Sequence, residues 1–267
     1  MVRRRKRRRK DKGRRKIVGI ILLVVSLLFL LFAGLIIYGV VKDLGQEDIL
    51  KQEIINYSNM DLARDDYSIY VKTKGDYAYI EEAVKKFYKE LSDNVKTINY
   101  YMNDEELKNI LSPDSLLKDR PNFANSFSII EKDRTKVSNA LKKISELCEK
   151  DTVKKLIDKE KIDDYSYDLY KKLMLTKDDI DDLKNTKQEM EYISKNLDLF
   201  FDKEIEILKF FKNNNSSWEY KDNQLYFATE ELVNKYNTLY KELMDIANKF
   251  EVDNNRKSNT KDNKVTA

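Results

Sequence analysis

Residues 17–41, IVGIILLVVSLLFLLFAGLIIYGVV, form a run of 25 positions without a single charged side chain. As an α-helix this run would extend about 37 Å at ~1.5 Å per residue, enough to cross a hydrocarbon layer of ~30 Å with some tilt. Soluble cores rarely need so long an uncharged stretch. A secretory signal has a shorter apolar region, about 7–15 residues, followed by a small-x-small processing site. Here the run ends in Leu35-Ile36-Ile37-Tyr38-Gly39-Val40-Val41-Lys42, which lacks such a site, and no cysteine stands directly after it for lipid attachment. The expectation is an uncleaved signal-anchor and a single-pass membrane protein.

Charge sets the orientation. Residues 3–16 hold twelve cations and one acid: Arg3, Arg4, Arg5, Lys6, Arg7, Arg8, Arg9, Lys10, Lys12, Arg14, Arg15 and Lys16 against Asp11, a net of +11. Removing these from the chain totals of 51 basic and 47 acidic residues leaves 39 and 46 for residues 42–267, a net of −7. The basic arm is expected to stay in the cytoplasm and the remainder to be extracytoplasmic, at the cell envelope. Within the arm, Arg3, Arg4, Arg5, Lys6, Arg7, Arg8, Arg9, Lys10, Arg14, Arg15 and Lys16 are the expected contacts to anionic lipid at the inner membrane face. Nucleic acid is not the expected partner, because no aromatic side chain interrupts the arm to stack on bases.

Beyond the run, the chain predicts helices. Its two prolines are Pro113 and Pro121, and none of its six glycines follows Gly75. Tight turns and phosphate-wrapping loops usually draw on glycine for positive φ. Residues 42–60 predict a juxtamembrane helix, and residues 61–75 a polar linker ending at Gly75. From Asp76, the apolar positions Ile80, Val84, Phe87, Leu91, Val95, Ile98 and Met102 recur at intervals of 4, 3, 4, 4, 3 and 4, one stripe of a helix expected to reach Leu111. A second helix is expected from Asn125 to Lys159 and a short Tyr-rich one around 165–173. Thr176 and Asp179 suggest the capping pair of a third long helix with a stripe from Ile180 to Leu208. Thr229 opens the last, striped from Leu232 to Phe250. Between them, Trp218–Tyr220 and Leu225–Phe227 flank Asp222-Asn223, the pattern of a small β-hairpin. The tail after Val252 is polar and aperiodic and is expected to be disordered.

The fold class expected is therefore all-α: an N-terminal transmembrane helix and then an elongated antiparallel helical bundle with a hairpin near 218–227. The expected divisions are 1–16, 17–41, 42–75, 76–251 and 252–267. Spacing near 3.5 residues also suits a coiled coil, so pairing with a second copy of the chain is the alternative to packing within it.

Much chemistry is excluded. The chain has no histidine and one cysteine, Cys148. Serine–histidine and cysteine–histidine catalysis, histidine-held zinc and CxxC redox chemistry all fall away. No GxxxxGK[ST] or GxGxxG occurs, and no cofactor is expected. Carboxylates remain: Asp163 with Asp164, and Asp178, Asp179, Asp181 and Asp182. Acids at a helix start favour the macrodipole, which accounts for the second group without a metal. The seventeen tyrosines and one tryptophan suit recognition, and Tyr165, Tyr167, Tyr170, Trp218, Tyr220 and Tyr226 are the candidate surface for a protein or envelope polymer. The expected function is non-enzymatic binding or scaffolding. The alternatives are a carboxylate-based enzyme acting on envelope glycan and a sensory ectodomain that works with a separate transducer.

Overall fold

The computed structural model describes residues 2–3 and 45–265. The expected span, and the basic arm apart from Val2 and Arg3, lie outside the described residues. Among the described residues, no helix is long and apolar enough to cross a membrane.

The chain order is β1 (Val2–Arg3), α1 (Gln46–Ser58), α2 (Asp76–Met102), α3 (Glu105–Lys108), α4 (Pro113–Lys118), α5 (Ala124–Leu147), α6 (Lys150–Lys155), α7 (Asp164–Met174), α8 (Lys177–Asn213), β2 (Trp218–Lys221), β3 (Gln224–Phe227) and α9 (Glu230–Val265). The described region is thus mostly helical, with one small antiparallel hairpin. It divides into two compact units. Among the described residues, one comprises 2–3, 100–138 and 193–265; the other comprises 45–99 and 139–192.

Helix ends follow local capping chemistry. The stripe opening at Asp76 stops at Met102, short of the expected Leu111. Asp104 interrupts it by turning its Oδ1 onto the amides of Glu106 and Leu107, at 2.8 and 3.3 Å, which starts α3. Ser112 does the same for α4, its Oγ accepting from the Ser115 amide at 3.2 Å with Pro113 in the first turn. The stretch between the expected helix end at Leu111 and the next expected start at Asn125 therefore holds a short helix. The expected helix 125–159 is broken at Cys148–Glu149, where Glu149 turns extended before α6.

The predicted capping pair is formed. The Asp179 amide donates to Thr176 Oγ1 at 3.1 Å, and Asp179 Oδ2 accepts from the Thr176 amide at 2.8 Å and its hydroxyl at 2.5 Å. Thr229 caps α9 through the Leu232 amide at 3.3 Å. That helix continues to Val265, over most of the 252–267 segment expected to be disordered. The segment contains neither glycine nor proline to end it.

In the first unit, Arg134 on α5 ties to Asp198 and Asp202 on α8 at 2.9 and 2.6 Å. Lys203 on α8 reaches Glu242 on α9 at 2.8 Å. The hairpin pairs Trp218 with Phe227 and Lys221 with Gln224, turning at Asp222 and Asn223, both at positive φ (51° and 59°). Such a two-residue turn matches the strand twist, and Asx residues tolerate it without glycine. One face is buried: Trp218 lies 5.0 Å from the Phe211 ring and Phe227 5.4 Å from that of Tyr236, by ring centroids. Helical packing supports a hairpin that would be marginal alone. β1 lies along the other edge of β3, Val2 opposite Phe227 and Arg3 opposite Tyr226.

In the second unit, α1 buries Leu50, Ile54 and Tyr57, and α2 buries its whole predicted stripe from Ile80 to Val95. Residues 61–75, the expected polar linker, are tied to the helices. Leu62, Tyr67 and Thr73 are buried, the Ser92 hydroxyl donates to the Leu62 carbonyl at 2.8 Å, and Tyr67 stacks on Tyr88 at 6.3 Å. The segment is a strap laid on the helices.

Candidate functional site

The densest polar constellation lies in the second unit, where α1, α2 and the strap meet. Glu53 comes from the apolar side of α1, one turn beyond Leu50. Glu81 and Lys85 come from α2, on a row with Tyr88 and Ser92 that is buried beside the main stripe. Glu81 has no exposed surface, and Lys85 and Glu53 are almost fully enclosed.

Every polar atom in this group is engaged. Lys85 Nζ lies 2.6 Å from Glu81 Oε1 and 2.8 Å from Glu53 Oε2, and donates to the Tyr70 carbonyl at 2.7 Å. Its third side faces the Tyr57 ring at 4.7 Å. Glu53 also takes Lys72 Nζ at 2.7 Å. Glu81 accepts the Lys72 amide at 3.0 Å, the Thr73 amide at 2.7 Å and the Thr73 hydroxyl at 2.6 Å. Two carboxylates and two ammonium groups balance in charge.

The electrostatics follow. Burial pushes the Glu53 carboxyl up, but the hydrogen bonds from Lys72 and Lys85 outweigh it and hold the group below its ordinary range. Burial acts on Glu81 the same way, and bonds from Lys85 and Thr73 again leave it lowered. Burial would lower Lys85, yet Glu53 and Glu81 together raise it. A carboxyl that works as a general acid near neutral pH needs the opposite shift. This arrangement fastens the strap; it does not hold a proton ready for transfer.

Other acids are placed differently. Asp179 is buried in its cap with Thr176, Asp181 is exposed, and Asp163 caps α7 through the Ser166 amide at 2.7 Å while Asp164 is exposed. An open cleft of about 530 Å³ in the second unit has Glu90, Asp93 and Glu146 on its rim, all exposed, with Asp93 bonded to Lys89 at 2.6 Å. Among the described residues, no group of acids and cysteine is arranged to hold a metal ion. Cys148 is buried, and burial pushes its thiol up to about 12, far from a reactive thiolate.

The six aromatic candidates are divided between the two units. Tyr165, Tyr167 and Tyr170 belong to the second unit; Trp218, Tyr220 and Tyr226 belong to the first. Tyr170 is fully enclosed and donates to the Val153 carbonyl at 2.5 Å. Trp218 is 4% exposed, its Nε1 donating to the Phe211 carbonyl at 3.2 Å beneath the Arg120 guanidinium 4.2 Å away. Both are core groups, with the polar tip satisfied internally as buried Tyr and Trp require. Tyr167, Tyr220 and Tyr226 are half-buried, and Tyr165 is exposed. Of the basic arm, only Arg3 falls among the described residues, in β1.

Sequence reasoning missed Glu53, Glu81 and Lys85. The usable signal was the second row 81–85–88–92. Its spacing of 4, 3 and 4 runs parallel to the main stripe and carries Tyr88, so α2 buries more than one face.

Comparisons of the chain with protein-family models, with curated proteins and with solved structures found no match. What defines the class is therefore the described chain itself: a mostly helical protein with one hairpin and a buried, charge-balanced strap.

Proposed function

We propose that the chain is a single-pass membrane-anchored protein whose helical region acts as a non-enzymatic binding or scaffold module on the outer side of the membrane, at the cell envelope. The observation that carries this reading is the 25-residue uncharged run between an arm of net +11 and a remainder of net −7. The site supports the non-enzymatic half. The enclosed carboxylates are consumed by ion pairs and backbone amides, and their proton affinities are shifted away from acid–base use.

One observation stands against the topology and makes it sharply testable. A chain inserted in this way places its first residues across the membrane from β3. The pairing of Val2 and Arg3 with Phe227 and Tyr226 and the proposed insertion exclude each other in one molecule. Cysteines at Val2 and Phe227, in a chain with Cys148→Ala, test it. The membrane reading predicts no disulfide between them in native membranes, and retention of the chain after alkaline carbonate washing. An efficient Val2–Phe227 crosslink, or release by carbonate, overturns it. For the binding role, affinity capture of the full chain from intact membranes is expected to recover a specific protein, an envelope polymer or a second copy. Recovery of none of these contradicts a scaffold.

A further inference from the structure

The second unit gathers three helix starts at one end. Gln46 Oε1, in the first turn of α1, accepts the Lys74 amide at 2.7 Å, just before α2 begins. Asp76 Oδ2, the first residue of α2, accepts the Asp163 amide at 2.8 Å, just before α7 begins. Tyr165, second in α7, returns to α1 by donating its hydroxyl to Glu47 Oε2 at 3.3 Å. Each helix carries an exposed apolar or aromatic side chain within its first four residues: Ile49 at 37%, Tyr79 at 42% and Tyr165 at 52%. Side chains on a helix lean toward its N-terminus, so all three are tilted toward the shared end. Helix starts ordinarily favour acids and caps, so apolar groups there are not explained by helix formation.

This end is also where the chain leaves the uncharged run. Three residues separate Val41 from Gly45, so the two lie no more than about 14 Å apart however the connection is built. The interfacial layer outside a hydrocarbon core is itself about 5–8 Å deep. We infer that the end of this unit bearing Ile49, Tyr79 and Tyr165 is seated in the membrane interface. Ile49 enters the acyl boundary, and the rings of the two tyrosines lie at headgroup depth, the Tyr165 hydroxyl staying on Glu47. Tyrosine suits that position because its ring is apolar and its tip is wet. The charged neighbours Asp48, Asp163 and Asp164 outnumber Lys74, so the seating is apolar and draws nothing from anionic lipid. This inference rests on the proposed anchor.

The test uses the full chain with Cys148→Ala in vesicles of phosphatidylethanolamine and phosphatidylglycerol. Nitroxide labels go on Tyr79→Cys, Tyr165→Cys and, as reference, Glu90→Cys, which is exposed and 11 residues, ~16 Å, further along α2. Power saturation compares collisions with oxygen, which concentrates in lipid, and with a water-soluble nickel chelate. The expected result is a severalfold higher oxygen-to-nickel ratio at 79 and 165 than at 90. Equal aqueous ratios at all three positions in carbonate-resistant vesicles overturn the seating and leave the anchor standing. Loss of both collision partners at 79 and 165 means a protein covers this end, and also overturns it. Extraction of the chain by carbonate removes the anchor and the seating together.

Discussion

Lys85 holds two buried carboxylates and a backbone carbonyl at once. Removing it leaves Glu53 and Glu81 facing each other without the cation between them. Breaking a buried pair from one side typically costs about 3–5 kcal/mol, so Lys85→Met is expected to lower the urea midpoint of the detergent-solubilised chain by a corresponding amount. A midpoint equal to wild type would show that the cluster adds nothing to stability. The same groups set a pH window. Glu53 and Glu81 are lowered from the usual 4.5, so their contribution is present above the unfolded carboxylate range and is lost as pH falls through their folded values. Lys85 is raised from the usual 10.5, so its contribution is present below that value and is lost as pH rises through its folded one. Melting curves should show a plateau from about pH 5 to about pH 10, with losses on both sides. In Lys85→Met the alkaline loss should shrink. Cys148 offers a separate check: its thiol, pushed up to about 12 by burial, should resist a disulfide reagent at pH 8 and react at the rate of a free thiol only in urea. Rapid labelling of the native chain would place it at the surface.

At the scale of elements, what was legible in the sequence was whatever local chemistry decides. Thr176 with Asp179, Thr229 before α9, and Asp222-Asn223 between two aromatic runs each act within a few residues, and each forms as its residues dictate. Thr176→Ala should cost about 0.5–2 kcal/mol. Asn223→Val, which puts a β-branched side chain at φ 59°, should cost about 1–2 kcal/mol. Thermal melts of the two variants would measure both, and an unchanged midpoint for either would remove that cap or turn from the account. What was not legible depended on distant partners. Residues 61–75 are polar and look like a linker, yet Tyr67 and Thr73 are buried because Tyr88 and Glu81 await them on α2. Tyr170 and Trp218 looked like recognition aromatics because periodicity cannot tell a groove-filling ring from an exposed one. The long helices were found, but the breaks at Asp104 and Glu149 were not, since an apolar period runs on through a cap whose geometry it does not encode.

At the scale of the whole molecule, composition is the most restrictive property of the chain. The lack of histidine, and of glycine beyond Gly75, removes histidine-based catalysis and glycine-rich phosphate loops, and the enclosed carboxylates are arranged for holding a strap. The helical class with one small hairpin followed from the stripes and the Asp-Asn turn. Which faces meet did not, because several amphipathic helices admit many pairings that a period alone cannot rank. The separation of charge, +11 before the uncharged run and −7 after it, is the feature on which the proposed topology depends. It is tested most directly with an epitope at each end of the full chain and a protease added outside sealed cells. The account predicts that the C-terminal epitope is destroyed while the N-terminal one persists on a small membrane-bound fragment. Survival of both epitopes in sealed cells, with loss of both after lysis, would contradict it.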